Sequence, residues 1–98
     1  MSLTTTSAVQ TEVRPLWLSY ELAESGYLKL AGYCDDLEDF YNRVGQDHRA
    51  EEFRKKGLLA MHEKHQLFEL TPEQLEKRIS IVALEVSELR ELANKLGV

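Results

Sequence analysis

The sequence predicts an all-α fold, an antiparallel up-down-up three-helix bundle with long helices. Two observations point there. Apolar residues recur at alternating intervals of three and four along two long stretches, the spacing that lines them up on one side of a helix. Prolines number two and glycines five in 98 residues, so little in the chain breaks a helical run. The helices are expected at about 14–44, 48–70 and 72–96, as one domain after a tail covering 1–12.

The tail is polar. Met1 to Gln10 is rich in Thr and Ser and has neither the basic start nor the apolar stretch of a signal peptide. It reads as a disordered leader.

The first helix carries the longest pattern. Val13, Leu16, Tyr20, Ala23, Tyr27, Leu30, Cys34, Leu37, Tyr41 and Val44 share one stripe. Gly26 and Gly32 each cost about 1 kcal/mol relative to Ala inside a helix. The pattern keeps phase across both, which favours a continuous helix. The alternative is a bend or break at Ser25–Gly26, which would give four helices. Tyr33 and Phe40 widen the apolar face, whereas Leu18 and Leu22 lie off it and imply a second contact.

Gly45 stands where a left-handed residue ends a helix, and Asp47 is placed to cap the next. The face of the second helix is less regular: Ala50, Phe53, Gly57, Ala60 or Met61, then Leu67 and Phe68. Small residues at Gly57 and Ala60 let a neighbouring helix come close. Leu37, Tyr41, Gly45, Ala50, Phe53 and Leu58 fall at spacings that resemble a single tetratricopeptide hairpin. In that family the tyrosine packs inside the hairpin, the glycine ends the first helix and the alanine permits close contact. The resemblance covers about a quarter of the chain and departs at Cys34 and Phe40. One repeat is also below the usual minimum for a solenoid. An ordinary helical hairpin needs the same residue types for the same packing reasons.

The third helix is the most legible. Leu75, Ile79, Val82, Val86, Leu89, Ala93 and Leu96 form an unbroken seven-residue repeat. Thr71 and Gln74 make a capping box around Pro72. Gly97 supplies the stop, and Lys95 favours the final turn. The link around Thr71 is short, so the second and third helices are expected to run antiparallel.

Composition narrows the function. A chain of this size buries a modest core, which favours an oligomer or a partner complex. The net charge of −5 disfavours non-specific nucleic-acid binding, which needs clustered Lys and Arg. The single cysteine, Cys34, cannot form an intramolecular disulfide. No apolar run is long enough to span a bilayer. The chain reads as a cytoplasmic protein with no membrane partner.

Each cluster that could carry chemistry has a simpler explanation. His62, His65 and Glu69 would share one face of a continuous helix and are the candidate ligands for a transition metal. They supply only part of a site, and surface histidines account for them as well. Asp35, Asp36, Glu38 and Asp39 form an acidic cluster inside an amphipathic helix, so a solvated face explains them better than a calcium loop. Arg49, Arg54, Lys55, Lys56 and Lys64 make the second helix the most basic, but Glu51, Glu52 and Glu63 can pair with them. A charge match between subunits, to the acids of the first helix, suits them better than nucleic acid. Cys34 on the seam is a small core residue rather than a nucleophile.

No phosphate loop, dinucleotide fingerprint or nucleophile elbow is present. The expected protein is therefore not an enzyme and uses no cofactor. It is a non-enzymatic interaction module: a small adaptor, assembly factor or regulator that docks or self-associates through helix faces. The alternatives are a metal-binding bundle and a nucleic-acid regulator. The predicted interface is Ile81 and Leu84, which point roughly 130–170° away from the seam of the third helix. A two-fold homodimer is the simplest assembly.

Overall fold

The structure is a computed structural model that describes residues 14–98. The expected tail at 1–12, and Val13 of the first apolar stripe, lie outside the described residues. Three helices follow in order: α1 (Leu16–Arg43), α2 (Asp47–His65) and α3 (Pro72–Leu96), with a short 3-10 turn, Leu67–Glu69, between the last two. No strand occurs among the described residues. The fold is an all-α three-helix bundle. Its Cα atoms extend 61 × 29 × 14 Å.

Helix α1 is continuous through Gly26 and Gly32, so the bend at Ser25–Gly26 does not occur. Pro15 sits at the N-cap, one position before the helix, and its carbonyl accepts from the Leu18 and Ser19 amides. The helix ends where Gly45 turns left-handed, at φ 79°. The Gln46 amide then reaches back to the Tyr41 carbonyl and the Gly45 amide to that of Asn42. That pair of bonds satisfies carbonyls the helix end would leave open. The turn leads directly into α2, so Asp47 is its first residue rather than its cap. Gln46 holds the cap position, with no side-chain bond.

Helix α2 stops at His65, five residues short of the expected 70. The chain tightens there: the Glu69 amide bonds the Gln66 carbonyl and the Leu70 amide bonds the Leu67 carbonyl. Pro72 disfavours helix at the preceding residue, and Thr71 is extended. The tightened turn keeps Leu67 in the core but swings Phe68 out to 72% exposure. Helix α3 has both ends as expected. The Thr71 hydroxyl accepts from the Gln74 amide at 3.2 Å, and the Gln74 side chain accepts from the Thr71 amide at 2.9 Å. Gly97, at φ 73°, closes it.

The core runs along α1. Ala23, Tyr27, Leu30, Cys34, Leu37 and Tyr41 are buried against Ala50, Phe53, Ala60 and Leu67 on one side and Leu75, Val82, Val86, Leu89 and Ala93 on the other. Leu16 and Val44, the described ends of the α1 stripe, are about half exposed. Helix α1 packs against both α2 and α3, whereas α2 and α3 make no substantial backbone contact with each other. The bundle is therefore open, with α1 as its spine.

Small residues permit close approaches between the helices. A Cβ on Gly57 would sit 3.2 Å from the Cys34 Cβ, and one on Gly26 would sit 3.0 Å from a Val82 methyl. At the far end of the hairpin, the Tyr41 and Phe53 rings stack at 5.7 Å. The Arg49 guanidinium lies over both, at 5.1 and 5.6 Å from their centroids.

Candidate interaction surface

Polar side chains bridge the space that α2 and α3 leave between them. Tyr27, on the spine, is fully buried. Its hydroxyl donates to Glu63 Oε1 on α2 and accepts from Arg78 Nη1 on α3, both at 2.8 Å. Arg78 also approaches Glu63 directly, at 3.6 Å. Two turns along, Lys56 of α2 reaches Glu85 of α3 at 3.4 Å. The two bridges fix α2 and α3 in antiparallel register. Burial raises the Tyr27 phenol to about 12, with Glu63 adding to the rise and Arg78 opposing it.

The solvent side of these bridges is apolar. Leu59 lies three and four residues from Lys56 and Glu63. Ile81 lies three and four residues from Arg78 and Glu85. Helical spacing therefore sets both beside the line of bridges. Leu84 follows about 60° further round α3, at 100° per residue. Exposure is 54% for Leu59, 55% for Ile81 and 62% for Leu84. The outward position expected for Ile81 and Leu84 is the one observed. Leu59 was not anticipated, although Leu58 and Leu59 lie off the apolar face of α2 and were a legible signal.

On α3 the outer stripe reads Lys77, Ile81, Leu84, Glu88, all exposed. Among the described residues, no ion pair engages Lys77 or Glu88. Helix α1 has its own exposed apolar residues on another side, Trp17 at 62% and Leu28 at 52%. Phe68 borders a shallow depression beside Tyr20, Glu21, Glu24 and Lys64.

The other candidate residues are dispersed. His62 and His65 are exposed on α2. Glu69 belongs to the 3-10 turn and has lost the helical phase that would align it with them. Among the described residues, no group of three or more His, Cys, Asp or Glu is placed to hold a metal ion. Four of the five basic residues named on α2, all but Lys55, pair within the chain. Arg54 pairs with Glu51, Arg49 with Glu52, Lys56 with Glu85 and Lys64 with Glu24. Asp39 of the acidic cluster pairs with Arg43 on its own helix. Cys34 is buried, and that burial raises its thiol to about 11, against a smaller lowering by Lys56. A thiol so placed is protonated at neutral pH.

Sequence periodicity also missed the buried polar groups. Ser19 is buried, and its hydroxyl donates to Glu76 Oε2 at 2.6 Å. A pattern that counts only apolar residues passes over it. No helix among the described residues is long and apolar enough to cross a membrane. Comparison with known proteins returns no match: no family model fits the chain, and no curated protein or solved structure resembles it at a significant level.

Proposed function

We propose that the protein is a non-enzymatic interaction module of the cytoplasm that docks through the outer face of α3, with a second copy of itself as the favoured partner. The observation that carries this reading is the exposure of Ile81 and Leu84 on a helix whose opposite stripe already fills the core. A helix needs one apolar stripe to pack in its own bundle. Two large apolar residues on the far side, with Leu59 beside them, add a patch of the kind that marks an interaction site. Core geometry gives them no role, so their burial belongs to an assembly.

The test is the double substitution Ile81→Glu and Leu84→Glu, read by light scattering and circular dichroism. The expected result is a fall from dimer mass to monomer mass with helicity retained. Unchanged mass, unchanged partner binding and unchanged stability would sink the proposal. Loss of helicity would place both residues in the fold rather than in an interface.

A further inference from the structure

Resting on that reading, we infer that the second copy docks antiparallel across α3, about a two-fold axis between Val82 and Ala83, with Lys77 of each copy paired to Glu88 of the other. The outer stripe carries this in its order. Ile81 and Leu84 are equidistant from the point between Val82 and Ala83, and so are Lys77 and Glu88. A perpendicular two-fold axis through that point sets Ile81 against Leu84 of the second copy. It sets Lys77 against Glu88 twice, once at each end of the apolar pair. Such a patch is complementary to itself, as an isologous interface must be.

Along the stripe itself no like charges stand directly opposite. The parallel arrangement fails on this point, because it sets Lys77 on Lys77 and Glu88 on Glu88. Repulsion of that kind disfavours a register strongly. Neither Lys77 nor Glu88 has an ion-pair partner among the described residues. Both are exposed, so reversing either charge leaves the fold of the single chain intact.

Charge reversal tests the register. Lys77→Glu, Glu88→Lys and the double reversal are compared with the parent by sedimentation velocity across a dilution series at low salt. Each single reversal sets like charges face to face at both ends. It is expected to weaken the dimer by about tenfold or more. The double reversal rebuilds both pairs with their signs exchanged and is expected to restore the parent's constant. At about 1 M salt, where screening acts within about 3 Å, the differences should shrink.

If all four proteins dimerise equally while Ile81→Glu with Leu84→Glu is monomeric, the register is wrong but docking through this face stands. A parent that stays monomeric at every concentration overturns the second copy as occupant. Whether the docking reading survives that result depends on whether the apolar double variant loses another partner. A double reversal no better than the single reversals overturns the pairing of Lys77 with Glu88.

Discussion

Tyr27 is the residue on which the three helices meet. It comes from the spine, donates to α2 and accepts from α3. Hydrogen bonds to charged partners contribute about 1.5–3 kcal/mol each. Tyr27→Phe leaves Arg78 and Glu63 within reach of each other, so the net loss near neutrality should fall at the low end, about 1–2 kcal/mol. The pH dependence carries a sharper signature. The phenol rises from its ordinary 10.0 to about 12 in the fold. The folded state therefore holds this proton after the unfolded state has released it. The stabilisation is complete below pH 10 and is lost as pH rises towards 12. Urea midpoints of parent and Tyr27→Phe should converge above pH 10. A gap that stays constant to pH 11.5 would show that the hydroxyl titrates as it does in the unfolded chain.

Glycine sorts the helices at the level of the element. Three glycines lie inside helices, and each lowers helix propensity by about 1 kcal/mol relative to Ala. An added Cβ at Gly26 would crowd Val82 of α3, and one at Gly57 would crowd Cys34 of α1. Gly32 faces open space, with nothing within 4 Å of an added Cβ. Gly32→Ala should therefore raise stability by about 0.5–1 kcal/mol. At Gly57 the added methyl meets the Cys34 Cβ, which cannot swing aside, so Gly57→Ala should gain nothing or lose stability. Equal gains at both sites in thermal melts would mean that α1 and α2 are not held as closely as described.

The same elements show what the sequence made legible. Helix α3 was clear at both ends because capping chemistry is local, and the Thr71–Gln74 box needs no tertiary partner. The continuity of α1 followed from an apolar repeat that keeps phase through two glycines. The end of α2 was missed because periodicity continues through Leu67 while the backbone tightens beneath it. The candidate surface was legible on α3, where Ile81 and Leu84 break a regular repeat. It was only partly legible on α2, whose irregular face hid Leu59. The bridges of Lys56 to Glu85 and of Arg78 to Glu63 were out of reach. They depend on how far apart α2 and α3 lie, which no single helix encodes.

At the scale of the whole molecule, α2 and α3 each lean on α1 and hardly on each other. Their few cross-links are side chains that span the gap, the Lys56–Glu85 pair at 42% and 34% side-chain exposure. Exposed ion pairs of that kind contribute about 0–1 kcal/mol. Losing one flanking helix therefore leaves the other with its contacts to the spine. In folding terms the chain holds two overlapping cooperative units, α1 with α2 and α1 with α3, that share one member. Local opening should follow that division. In native-state hydrogen exchange, the middle of α1 should open only with global unfolding. The amides of α2 and α3 should exchange through separate openings, each with its own denaturant dependence. A shared helix makes the molecule two helix pairs in one chain, able to release one arm while the other keeps the spine in place.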